Sequence, residues 1–158
     1  MKKVLLAIAL VALSLGSYAQ TGSKAILPKI GYQTEYKRVL FGIEGRYFLT
    51  DNIRLAPDVQ VLLPKNRITG LDVNVNVHYV IPLEGGFVFY PLVGGAMLNN
   101  RWKPEGIDAT SWTDFGINLG AGIQYDVMSD GYLNFEFKYT LKEDKDPAYF
   151  MLGYGIRF

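Results

Sequence analysis

From Leu71 to Ile81 the chain reads Leu-Asp-Val-Asn-Val-Asn-Val-His-Tyr-Val-Ile, with apolar residues at odd positions and polar ones at even positions up to His78. In a β-strand those two sets point to opposite faces. The same period of two runs through Tyr132–Leu141 and through Phe150–Phe158, where the second face is glycine plus Arg157. No stretch after the first twenty residues carries a 3.6-residue apolar period, so helices are not expected there. Eight strand segments follow, at about 26–36, 38–49, 53–63, 71–81, 87–98, 114–126, 132–142 and 148–158. Each is roughly 11 to 13 residues long, whereas soluble strands average about 5–6 and a tilted membrane strand needs about 9–11.

The links between segments carry a second pattern. Thr50–Asn52, Pro82–Gly86 and Val127–Gly131 are tight and rich in turn residues. The alternate links fall at 37–38, 64–70, 99–113 and 143–147. Short turns on one side and longer loops on the other describe an outer-membrane barrel, and an even strand number puts both termini on the periplasmic side. One face of the alternation is uncharged: Val39, Phe41 and Ile43, then Leu71 to Tyr79, Phe115 to Tyr125, Leu133 to Tyr139, and Phe150 to Phe158. A lysine or arginine at mid-bilayer depth costs about 2–4 kcal/mol, so an uncharged face suits lipid. Tyr36, Tyr47, Tyr79, Tyr125, Tyr139 and Phe158 fall near strand ends, where interface girdles sit.

The opposite face carries Lys29, Gln33, Glu35, Glu44, Arg46, Arg54, Asp58, Gln60, Asp72, Asn74, Asn76, His78, Asn118, Gln124, Asp126, Glu136, Lys138 and Arg157. Six acids against five fixed bases is too balanced for an ion-selective pore. Side chains fill an eight-stranded barrel, so a self-neutralising plug is expected. A soluble lipocalin-like barrel would invert the faces, and period two alone does not distinguish inside from outside. Long strands, a polar face rich in Asn, Gln and Gly, and a last strand ending on Phe158 favour the membrane form. The expected fold is all-β: an eight-stranded antiparallel up-and-down transmembrane β-barrel.

The first residues read as an export signal. Lys2 and Lys3 precede the apolar run Val4–Leu15, and Ser17-Tyr18-Ala19 is a small–x–small cleavage pattern. Residues 1–19 are therefore expected to be a signal peptide cleaved near Ala19, with the barrel over 20–158 and the cell outer membrane as destination. Removal of Lys2 and Lys3 leaves 14 bases against 15 acids, no basic footprint for nucleic acid. The absence of cysteine excludes disulfides and thiolate metal sites.

Chemistry is sparse. Hydrolysis would need a nucleophile beside a general base. The sole histidine is His78, on the polar face, while Ser23, Ser111 and Ser129 lie in the N-terminal stretch, the expected third outside loop and an expected periplasmic turn. Glu44 and Glu136 could act as paired carboxylates, but Arg46 and Lys138 beside them favour ion pairs. No metal-ligand spacing appears, and no cofactor is expected. The link Asn99–Thr113 carries Trp102, Trp112 and Arg101, residue types that anchor interfaces or sit at a membrane boundary, and these three are the ligand-binding candidates.

Phe115–Tyr125 with its Ser129-Asp130 turn, and Phe89-Tyr90-Pro91-Leu92-Val93-Gly94-Gly95, resemble segments of small OmpA/OmpX-like outer-membrane β-barrel domains. Phe150–Phe158 is similar to the C-terminal signal read by the barrel-assembly machinery in that family. The resemblance spans the mature chain but specifies architecture rather than activity. It implies outer-membrane lipids and the barrel-assembly machinery as partners, and a structural, envelope-integrity role without chemistry of its own. The alternatives are a binding or adhesion barrel acting through 99–113 and a soluble periplasmic ligand-binding barrel. Pro57 inside the third segment, like Pro28 in the first, deletes a ladder hydrogen bond, so either a bulge at Pro57 or a different register for that segment is expected.

Overall fold

A computed structural model describes residues 22–158; the expected signal at 1–19 lies outside them. Eight long strands run β1 (Lys24–Gln33), β2 (Arg38–Phe48), β3 (Ile53–Lys65), β4 (Ile68–Tyr79), β5 (Phe87–Trp102), β6 (Thr110–Asp126), β7 (Gly131–Leu141) and β8 (Ala148–Arg157). A two-residue strand, Ile81–Pro82, prolongs β4, and a 3-10 turn at Glu84–Gly86 leads into β5. Each strand pairs antiparallel with the next, and β8 returns to β1 through pairs from Ala25↔Arg157 to Gln33↔Tyr149. The sheet is thereby closed into the expected eight-stranded barrel and has no unpaired edge.

The alternation sorts the side chains as the sequence implies. Val75 is 52 % exposed while its neighbours Asn74 and Asn76 are 1 % and 0 % exposed. Among the described residues, charges on the outward parity occur only near strand ends, at Lys24 and Arg101. Tyr47, Tyr79, Phe87, Tyr125 and Phe158 ring the end that bears the termini, with Phe87 and Tyr125 4.7 Å apart. Tyr32, Phe115, Tyr139 and Phe150 lie toward the opposite end, which we call the far rim.

Apolar clusters fill the lumen near both ends. Leu40, Leu62, Leu98, Tyr149 and Met151 pack toward the far rim. Ala25, Leu27 and Tyr132, and Val80, Tyr90 and Leu92, pack toward the termini. Two inward glycines admit the largest of these side chains. A Cβ on Gly122 would overlap the Tyr90 ring, and one on Gly155 would overlap the Tyr132 ring.

Several expectations are corrected. No bulge forms at Pro57: the β2–β3 register is the same at Glu44↔Asp58 and at Tyr47↔Leu55, and only the rungs between are missing. Pro28 and Pro91 act alike, interrupting β1–β8 and β4–β5 without shifting register. A missing N–H drops one local stretch of ladder, which a closed sheet tolerates better than an inserted residue that would flip every following side chain. The register shift that does occur lies between Leu62 and Lys65, next to Pro64. The link expected at 64–70 shrinks to Asn66-Arg67, both at positive φ (51° and 65°), a two-residue turn whose twist matches the flanking strands. The link expected at 99–113 is mostly strand: the β5–β6 ladder continues to Trp102↔Thr110 and leaves only 103–109 as a loop. With 16 and 17 residues, β5 and β6 outrun the other strands, so the asymmetry between the two ends lies in strand length more than in loop length.

Candidate functional site

The polar lumen is built in layers. At its centre Asp58 on β3 is saturated: Oδ1 accepts from Gln60 (2.8 Å) and Asn74 (2.9 Å), and Oδ2 accepts from Asn76 (3.3 Å) and faces Lys29 Nζ at 3.2 Å. The amide of Asn118 donates to Asn74 (2.7 Å) and Asn76 (2.9 Å), and Thr140 donates to Asn118 Oδ1 (2.7 Å). This chain of bonds crosses from β3 to β7. Lys29 also donates to Glu44 Oε2 at 2.7 Å and lies 4.0 Å from Glu136. Arg46 Nε donates to the other Glu44 oxygen at 2.6 Å. The Tyr90 hydroxyl accepts from Arg46 (3.0 Å) and lies 2.8 Å from both Asn134 Oδ1 and Glu136 Oε2. Charges so enclosed by opposite charge and hydrogen bonds are tolerated in a low dielectric.

Toward the far rim, Arg38 donates to Gln33 (2.9 Å) and Asn100 (2.9 Å), and Lys138 stands 3.8 Å from Asp72. Lys138 therefore serves Asp72 rather than Glu136, the partner its sequence position suggests. At the rim, Lys142 joins Glu35 (3.0 Å) to Asp114 (3.2 Å). Burial pulls the Lys142 ammonium down, but the hydrogen bonds and charges of these two carboxylates outweigh it and hold its pKa above the ordinary value.

Toward the termini, guanidiniums and rings alternate. Arg157 lies over Tyr132 (4.7 Å), Arg46 between Tyr132 (5.5 Å) and Tyr90 (5.1 Å), and Arg54 between Tyr90 (4.7 Å) and Phe48 (5.5 Å). His78 stacks on Tyr90 at 4.5 Å and accepts from Arg54 at Nδ1 (3.0 Å). Asp126 pairs with Arg157. Along the whole inward face seven bases (Lys29, Arg38, Arg46, Arg54, Lys138, Lys142, Arg157) meet seven acids (Glu35, Glu44, Asp58, Asp72, Asp114, Asp126, Glu136). Arg38, Asp114 and Lys142 were missed by strand reading, because they sit at the register positions where strand becomes link.

One grouping could be mistaken for a metal centre. Glu44, His78 and Glu136 place one ligand atom each within 4.8 Å of one another. A guanidinium can only donate, so Arg54 fixes His78 Nδ1 as acceptor and the imidazole proton on Nε2, which then has no lone pair for a metal. Both Glu44 oxygens are already bonded to Lys29 and Arg46. The donor set fits an internal ion cluster and not a cation. Ser111 lies on β6 opposite Arg101, toward the far rim, and Ser129 in an exposed turn at the terminal end; among the described residues neither is hydrogen-bonded to the buried His78, whose side-chain partner is Arg54.

The expected binding residues are not on a flexible loop. Trp102 and Trp112 occupy the inward parity of the protruding β5–β6 hairpin, diagonal to each other across the pairs Asn100↔Trp112 and Trp102↔Thr110. Arg101 takes the opposite face. The structure thus puts both tryptophans on one face of the hairpin and the arginine on the other.

An uncharged belt around a charge-neutral, bonded lumen defines a transmembrane β-barrel. Residues 5–158 match the family described as outer membrane protein beta-barrel domain, and the chain belongs to that family. Among solved structures, the N-terminal barrel of Pseudomonas aeruginosa OprF aligns at 20 % identity with a TM-score of 0.71, over 87 % of this chain and all of that one. Ail, the attachment invasion locus protein of Yersinia pestis, aligns at 18 % identity and TM-score 0.64, over 87 % of this chain and 97 % of that one. Neisserial surface protein A aligns at 12 % identity and TM-score 0.71, over 90 % and 100 %. No curated protein matches the chain. At these identities the likeness concerns the fold. The polar-inside, apolar-outside sorting removes the soluble ligand-binding barrel as a reading.

Proposed function

We propose that this protein is a structural, envelope-integrity barrel of the outer membrane, closed to ion flow and without chemistry of its own. The supporting observation is the lumen: its central charges are bonded to one another across the full width of the barrel, from β1 and β3 to β7. A conducting path would require breaking buried ion pairs, which is strongly unfavourable. Outer-membrane lipids contact the uncharged belt, the barrel-assembly machinery engages the strand ending at Phe158, and the signal peptide at 1–19 directs export and is cleaved near Ala19, leaving both termini of the barrel in the periplasm. The test is reconstitution of the refolded barrel into planar bilayers alongside heat-modifiable gel migration. The reading requires folded protein with no steady conductance; a reproducible open state in folded protein overturns it.

A second reading has its own observation. The protruding β5–β6 hairpin carries Trp102 and Trp112 on one face, and it projects from the end opposite the termini. One solved Ail structure is of its complex with the heparin analogue sucrose octasulfate. In this reading the hairpin is an adhesive element of the cell exterior. Adherence of whole cells that falls on Trp102→Ala with Trp112→Ala, at equal surface display, supports it; unchanged adherence removes it.

A further inference from the structure

A cavity of about 200 Å³ opens at the terminus-bearing mouth, beneath Asp51 and Pro82. Its floor and walls include Arg46, Arg54, Gln124, Tyr132 and Arg157. Three features of this cavity are left unresolved by the barrel's own bonding. Gln124 Oε1 accepts from Arg46 Nη1 (3.3 Å) and from Arg54 Nη1 (3.2 Å), so two guanidiniums converge on one neutral oxygen. Arg54 is 2 % exposed, yet among the described residues no carboxylate lies within ion-pair distance of it; its other partner is His78. The Tyr132 hydroxyl, on a residue 1 % exposed that lines the cavity, has no hydrogen-bond partner. A like-charge pair converging on one neutral oxygen in a low dielectric, beside an unpartnered hydroxyl on the same cavity, is the chemistry of an anion receptor.

The geometry points to an oxyanion-binding pocket at this mouth, taking a phosphate or carboxylate group between Arg54, Arg46 and Arg157 with the Tyr132 hydroxyl as an added donor. A guanidinium offers two parallel N–H groups to such a group, which favours it over a spherical anion. Two neighbouring carboxylates limit its size and charge: Asp51 stands at the rim and Asp126 is engaged with Arg157. The pocket lies inside the mouth rather than on the lipid-facing belt, so a soluble anion reaches it more directly than a headgroup.

The test uses the full barrel refolded in zwitterionic micelles, titrated with inorganic phosphate, with acetate, and with chloride at matched ionic strength. The readouts are calorimetry and the arginine Nε–H signals in two-dimensional spectra. Phosphate or acetate is expected to bind saturably and to shift Arg54 and Arg46, and chloride is not. Arg54→Gln and Arg157→Gln should each weaken binding at least tenfold, and Tyr132→Phe severalfold, in protein that keeps its heat-modifiable migration. Arg54 is buried, so if Arg54→Gln does not fold, the rim variant Arg157→Gln and Tyr132→Phe carry the test. A second arm compares bilayer discs with and without an anionic lipid: phosphate affinity reduced by that lipid identifies a headgroup as the source, and unchanged affinity identifies a soluble anion. Absence of saturable binding, equal response to chloride, or variants that bind like the parent overturns the proposal.

Discussion

Lys29→Met removes the one ammonium that faces three buried carboxylates, at 2.7 Å from Glu44, 3.2 Å from Asp58 and 4.0 Å from Glu136. Breaking a buried ion pair by deleting one partner costs about 3–5 kcal/mol, because the remaining charge is left uncompensated. Here each carboxylate keeps other donors: Glu44 keeps Arg46, Asp58 keeps Gln60, Asn74 and Asn76, and Glu136 keeps Tyr90. The expected loss therefore lies at the low end, about 3 kcal/mol. It is measured as the shift in urea midpoint of the barrel refolded into phospholipid vesicles, followed by the fluorescence of Trp102 and Trp112, at unchanged slope. Glu44→Gln should recover part of the loss in the double variant, since it removes one of the stranded charges, and the coupling isolates the pair. A loss below about 1 kcal/mol, or additive effects in the double variant, refutes the view that the lumen is an electrostatically closed plug.

Other predictions address the remaining features. Gly122→Val drives a side chain into the Tyr90 ring and should cost about 1–3 kcal/mol or block folding, with recovery on Tyr90→Ala, read by the fraction that shifts on heat-modifiable gels. Val75→Arg puts a charge on the lipid face near the middle of β4 and should cost about 2–4 kcal/mol in vesicles, whereas a soluble barrel would be indifferent to it. At the far rim the raised pKa of Lys142 fixes a pH window. Its stabilisation is fully present below the unfolded lysine value of about 10.4 and is lost as pH rises through the higher folded value. The urea midpoint of Lys142→Met should fall below that of the parent by a constant amount from neutral pH upward, and the gap should close only in strong alkali; a gap that closes below pH of about 9 contradicts the assignment.

The parts legible in the sequence were those governed by period two. β4 could be read almost residue by residue, since its outward valines and inward Asp72, Asn74, Asn76 and His78 obey the pleat without exception. What escaped lay where alternation meets a turn. Arg38, counted both as the start of a segment and as the end of a link, was not assigned to a face, yet it opens β2 and points inward to Gln33 and Asn100, a partner 62 residues away that no local pattern announces. Residues 99–113 look like a loop because Asn, Arg, Lys and Pro blur the alternation, but cross-strand pairing holds Asn99 to Thr113 and Arg101 to Ser111. Pro57 suggested a bulge from a rule about open ladders, whereas closure lets the strand lose rungs and keep register. The inward tyrosines were absent from the polar face read from the alternation, which counted charged, amide and histidine side chains. Tyr90 and Tyr132 fill the lumen, and the signal for them was there in the small residues Gly122 and Gly155. Charge partnership was the least legible layer, because Lys29 is joined to Glu44 and Asp58 only by the barrel's register.

The chain contains no cysteine, so single cysteines can be placed and spin-labelled without background. The most direct test of the account labels residues 72 to 77 of β4 one at a time in vesicles and measures collision with oxygen, which partitions into lipid, and with a water-soluble nickel chelate. The account predicts strict alternation: Val73, Val75 and Val77 reached by oxygen, and Asp72, Asn74 and Asn76 shielded from both reagents. Outward positions reached by the nickel chelate would deny that this face is in lipid, and inward positions reached by it would show an open lumen in place of a closed one.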